Sequence, residues 1–246
     1  MWRLPALCKI EKEKTMIIQI YGIRTVEDAR MVVELGATNI GVSYGKIKRT
    51  PGQVTCEKAR EIFENVQPAA TKVGLTIAED IEEISENLRE VEPDILHLSG
   101  YIEAITPEDI KVLKSRFPRV KIMQAIPVLT NVPLEDQKVM EYVRQYETVA
   151  DLFLIDTKAD HVDDIGATGA CHDRNIDKKI IDSTKIPCII AGGLDEKNVA
   201  EAIRITSPYG VDSFTFTNFD VLPKDGSGIK DPEKVKAFVE AVRGAC

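Results

Sequence analysis

The sequence predicts an α/β protein, a single-domain TIM (β/α)8 barrel. Three observations carry this. The chain has 246 residues, a typical length for one such barrel. From Met16 onward, short apolar runs alternate with amphipathic stretches eight times, the pattern of a parallel sheet with crossover helices. Polar residues then cluster where the apolar runs end, the side on which such barrels keep their sites. An open doubly wound sheet is the runner-up and differs in a strand order that one sequence does not display.

Each element has a local reason. MIIQIY is a first strand, and Thr25 caps the helix TVEDARMVVELG, closed by Gly36. TNIGVSY is the second strand, with its helix starting at Thr55. KVGLTI is the third, followed by EDIEEISENLREV. DILHL is the fourth, and Thr106-Pro107 opens the next helix with a cap and a Pro in the first turn. KIMQAIPV is the fifth, followed by a helix over 133–149. DLFLID is the sixth. A long loop through Gly169 leads to a helix over 175–183. PCIIAGG is the seventh, continuously apolar like a strand buried on both faces, and Asp195 is the expected cap of its helix. GVDSFTF is the eighth, and Asp231-Pro232 opens the closing helix. Residues 1–15, with the mixed charges KIEKEK, read as an N-terminal extension to a barrel over 16–246.

Bulk composition narrows the function. The net charge of −8, with no basic cluster, argues against a nucleic-acid partner. No apolar run is long enough to span a membrane, and the N-terminus lacks a signal-peptide core. Cys8, Cys56, Cys171, Cys188 and Cys246 show no paired spacing, as in a cytoplasmic protein with reduced thiols. His97, His161 and His172 form no metal-ligand spacing, so no metal is expected.

The strand ends supply the candidates. Asp156 directly follows LFLI at the barrel mouth, where burial raises a carboxyl pKa and suits it to general acid work. Gly192 and Gly193 stop the seventh strand; two glycines there let backbone N–H groups hold a phosphate. A tight turn needing positive φ is the alternative, and the position in the seventh of eight units, where such barrels usually keep a phosphate, favours the anion site. Gly226, Gly228 and Lys230 are candidates to complete that anion site. His97 alternates with core residues and is expected to point inward, as a satisfied interior histidine, a catalytic one or a substrate contact. The eighth strand offers Asp212, Thr215, Thr217 and Asn218, and the second leads to Lys46, Lys48 and Arg49. Cys171 and His172 are adjacent and read as loop residues, within a long loop of the kind that forms lids.

Taken in order, QIYG, HLSG, FLIDT, GATGACHD, AGGL, GVD and GIKDPEKVKAF resemble phosphoribosylanthranilate isomerase over about 17–242. The resemblance implies an Amadori rearrangement of a small phosphorylated sugar amine in tryptophan biosynthesis. It places Asp156 as the general acid and Gly192 and Gly193 in the phosphate turn. It implies no cofactor, and a monomer or homodimer. Three positions depart from the family. Tyr21 stands where the family has a Cys base, and must either act with a lowered pKa or serve as an acid or hydrogen-bond donor. Thr50, Pro51 and Gly52 replace Ser-Pro-Arg, whose Arg holds the anthranilate carboxylate, leaving Arg49 nearby. Phe214, Thr215 and Phe216 replace Ser-Ser-Gly, leaving the Thr215 or Thr217 hydroxyl for the phosphate. A same-fold enzyme acting on another phosphorylated metabolite, and a non-catalytic ligand-binding barrel, stay open as alternatives.

Overall fold

Eight parallel strands close on themselves in the order β1 to β8, each strand hydrogen-bonded to its neighbours in sequence and β8 to β1. The computed structural model describes residues 16–50, 52–158, 171–220 and 228–245. The expected extension over 1–15, His161 and Gly226 lie outside them, as does most of the long loop after the sixth strand.

The first half runs β1 (Ile17–Ile20), α1 (Val26–Glu34), β2 (Asn39–Ser43), α2 (Cys56–Glu64), β3 (Thr71–Thr76), α3 (Ile81–Val91), β4 (Ile95–Leu98) and α4 (Pro107–Arg116). The second half runs β5 (Lys121–Leu129), α5 (Val139–Tyr146), β6 (Leu152–Lys158), α6 (Arg174–Ser183), β7 (Cys188–Ile190), α7 (Val199–Thr206), β8 (Gly210–Ser213) and α8 (Pro232–Arg243). Helix starts follow their caps. Thr25 accepts from the Asp28 N–H at 3.0 Å, and Thr106 and Asp109 form a reciprocal capping box. Gly36 sits just past α1 at φ +108, a backbone that suits glycine.

Three boundaries differ from expectation, each for a local reason. The helix over 133–149 begins only at Val139. The Gln137 amide bonds the Leu129 N–H at 2.8 Å and the Val132 carbonyl at 2.7 Å, holding Gln137 extended where a helix would continue. Asp195 caps a turn four residues ahead of α7, accepting from the N–H groups of Lys197 and Asn198. β8 stops at Ser213 because Phe214 and Thr217 turn toward Lys230.

The core has two shells. The larger lies between sheet and helices, with Ile20, Ile40, Ile62, Phe153, Ile190 and Phe238 among its fully buried members. The smaller fills the barrel axis with Tyr21, Val73, Ile95, Met123, Leu152, Leu154, Ile189 and Ala191. Strand alternation therefore sends Gln19, Tyr21, His97, Asp156 and Asp212 to the interior face. Low in this lumen Asn39 donates to Gln19 at 3.3 Å, and Gln19 donates to Asp212 at 3.0 Å. Asn39, Gln19 and Asp212 are tolerated there because each bonds another of the three.

Candidate active site

The C-terminal ends of β1, β4, β6, β7 and β8 bring the predicted residues Tyr21, His97, Asp156, Gly192 and Gly193 to one mouth. Asp156 closes the apolar run of β6 and is only partly exposed. Burial pushes its carboxyl up to about 6, while the Thr157 N–H, at 2.7 Å, and the His172 and Arg174 side chains pull it back. A carboxyl in that range gives and takes a proton near neutral pH.

Its neighbours behave differently. Asp212 is buried opposite Gln19, and burial, reinforced by the charge on Asp156, holds it well above the ordinary carboxylate range. The Tyr21 phenol is likewise pushed up by burial and by the charges of Asp212 and Asp156. Its hydroxyl lies 2.6 Å from Nδ1 of His97. Burial drives His97 down to about 3, so the imidazole is neutral. Tyr21 thus donates to Nδ1, and Nε2 carries the ring proton without a partner among the described residues. Of the two roles open to Tyr21, this geometry favours donor over base. Its ring lies where a Cβ on Gly41 would stand, so the larger residue is seated against a glycine of β2.

The turn after β7 has φ +81 at Gly192 and +65 at Gly193. A side chain at 192 would collide with Oγ1 of Thr157. The carbonyls of this turn are all engaged. Arg174 donates to those of Ala191, at 2.7 Å, and Gly192, while Asn198 and the Cys171 thiol donate to that of Gly193. The Gly192 and Gly193 N–H groups have no partner among the described residues. Fixed carbonyls and free N–H groups suit an anion. Ser213 ties β8 to this turn by donating to the Leu194 carbonyl at 2.9 Å.

Several candidates are engaged elsewhere. The Thr217 hydroxyl is fully buried, donating to the Phe214 carbonyl and accepting from Lys230 at 3.0 Å. Thr215 remains the partly exposed hydroxyl on that side. Lys230 is itself buried, donating to the Phe214 carbonyl at 3.0 Å, with its ammonium 5.0 Å from the centre of the Phe214 ring. Burial brings it down to about 7. It braces the end of β8, its ammonium engaged by the Phe214 carbonyl and the Thr217 hydroxyl. Arg49 is held by Glu83 through Nη2 at 2.6 Å and Nε at 3.4 Å.

One cluster was not anticipated. Thr157 Oγ1 meets His172 Nδ1 at 2.7 Å, His172 Nε2 meets Asp177 at 2.5 Å, and Asp177 accepts from Arg174 at 3.0 Å. This chain links the residue beside Asp156 to α6 and to the glycine turn. In sequence only the i, i+5 spacing of His172 and Asp177 at a helix start hinted at it.

The family model for N-(5'-phosphoribosyl)anthranilate isomerase matches residues 18–241. N-(5'-phosphoribosyl)anthranilate isomerase 2 of Methanosarcina mazei is 33% identical over 228 residues, 93% of this chain and 94% of that protein. The isomerase structure from Pyrococcus furiosus, 27% identical, superposes with a TM-score of 0.73, covering 94% of this chain and all of that one. A further structure, at 24% identity and a TM-score of 0.70, holds reduced 1-(o-carboxyphenylamino)-1-deoxyribulose 5-phosphate, over 94% of this chain and 100% of that one.

Proposed function

The chain belongs to the N-(5'-phosphoribosyl)anthranilate isomerase family, and from that premise we propose that it isomerises phosphoribosylanthranilate in tryptophan biosynthesis. The observation that carries the reading is Asp156, a carboxyl at the end of β6 that burial pushes up to about 6, beside a glycine turn whose N–H groups have no partner among the described residues. The turn and the Thr215 hydroxyl hold the phosphate. Asp156 protonates the ribose ring oxygen, and the ring opens to a protonated Schiff base.

The proton on C2′ must then go to a base. Burial raises the Tyr21 phenol and the Asp212 carboxyl above their ordinary ranges and lowers His97 to about 3, so Asp156 is the group best matched to take this proton near neutral pH. Asp156 has just become a carboxylate beside the same carbon framework. It takes the C2′ proton, which neutralises the Schiff base to an enolamine and restores the acid form. The enolamine then ketonises to the product. One proton leaves the enzyme and one returns, so the cycle balances with a single residue. Acid–base isomerisation of this kind draws on no metal or organic cofactor.

The test is turnover of phosphoribosylanthranilate by the purified protein, followed by loss of substrate fluorescence. The reading expects turnover that Asp156→Asn abolishes. No turnover at high enzyme concentration would exclude it and favour a different phosphorylated substrate.

A further inference from the structure

We infer that the aromatic carboxylate of the substrate is held in a cleft at the ends of β5 and β6, with Lys158 as its cationic partner; this rests on, and deepens, the isomerase reading. The cleft has a volume of about 220 Å³ and is lined by Tyr101, Pro127, Leu129, Lys138, Tyr142 and Lys158, with Asp136. Its apolar walls suit a single aromatic ring.

Register places the cleft relative to the acid. Pro127 pairs with Asp156 and Leu129 with Lys158. Asp156 and Lys158 are two residues apart on one strand, so they share a face and lie roughly 6.6 Å apart along it at about 3.3 Å per residue. In the substrate the carboxylate is only a few bonds beyond the ring oxygen that Asp156 protonates. The phosphate turn at β7, the acid at β6 and this cleft then follow one another round the rim, in the order of phosphate, sugar and arene.

The charges single out Lys158. Lys138 is paired with Glu103 at 3.3 Å, and Glu103 also accepts from the hydroxyls of Tyr101 and Tyr142 at 2.9 and 3.0 Å. Lys158 has no ion-pair partner among the described residues. On the opposite side, Arg49 is committed to Glu83, and Lys46 to Glu86 and Glu90. The Tyr21 ring fills the space over Gly41 at β2, narrowing the mouth on that side. Lys48, exposed on the loop after β2, is the rival cation.

The experiment compares the affinities of reduced 1-(o-carboxyphenylamino)-1-deoxyribulose 5-phosphate and its phenylamino counterpart lacking the carboxylate. The wild type is expected to favour the carboxylated compound about tenfold or more, the size of a charge-assisted contact. Lys158→Gln should bring that ratio near one, while Lys158→Arg and Lys48→Gln keep it. Unchanged binding of the carboxylate-free compound to Lys158→Gln verifies that the site is still folded. An unchanged ratio in Lys158→Gln, its loss in Lys48→Gln, or no carboxylate preference in the wild type would each overturn the subsite while leaving the isomerase reading intact. Failure of both compounds to bind the wild type would overturn the subsite and the isomerase reading together.

Discussion

Replacing Asp156 by Asn should abolish turnover and yet stabilise the protein, by an amount that depends on pH. Burial raises the Asp156 carboxyl from the ordinary 3.8 to about 6. The folded chain therefore binds this proton more tightly than the unfolded chain. The folded state is favoured at low pH and loses that advantage as pH rises from 3.8 through 6. Roughly two pKa units at about 1.4 kcal/mol each put the full penalty at about 3 kcal/mol at pH 8. Residual water contact at the mouth reduces this to about 2 kcal/mol. At pH 4 the difference shrinks below about 1 kcal/mol, because the folded group is then protonated and the unfolded one is only about half ionised. Asn keeps the oxygen that accepts the Thr157 N–H, so little else changes. Urea denaturation of both proteins at pH 4 and pH 8 reads the two differences directly. A stability difference that is the same at both pH values, or a less stable variant at pH 8, would refute the claim that desolvation dominates at Asp156.

Three further outcomes follow from the same geometry. Tyr21→Phe should keep turnover within about tenfold, and kcat/KM should still fall above pH 6 as Asp156 loses its proton; a variant with no activity would return the base to Tyr21. Gly192→Ala forces a side chain into Thr157 at positive φ, so it should raise KM and lower stability by about 1–3 kcal/mol, measured by steady-state kinetics and urea melts. Asp177→Ala strips the buried partner from His172 and Arg174 and should lower stability by about 3 kcal/mol, read from denaturation midpoints.

The barrel was legible in the sequence because its signals are local. Caps such as Thr25 and Thr106, and apolar runs ended by a polar residue, need no distant partner to be read. The same locality marked Asp156 and the glycine turn as candidates. What escaped depends on side chains that meet across the fold. Tyr21 and His97 are 76 residues apart in sequence, and only their hydrogen bond decides what the phenol can do. Arg49 looked available until Glu83, 34 residues on, came beside it. Lys230 read as part of an anion site because its sequence neighbours are glycines and a helix cap, whereas in the fold it turns inward and ends β8 early. Gln137 delayed α5 in the same way, by bonding backbone groups rather than water.

The Tyr21 ring and the missing side chain of Gly41 occupy one volume between two neighbouring strands. Packing therefore couples the two positions. Tyr21→Cys by itself would open a void over Gly41, with the loss of packing that an unfilled core site brings. Enlarging 41 by itself would evict the ring. A small side chain at 21 is thus well packed only when the space over 41 is filled from another side.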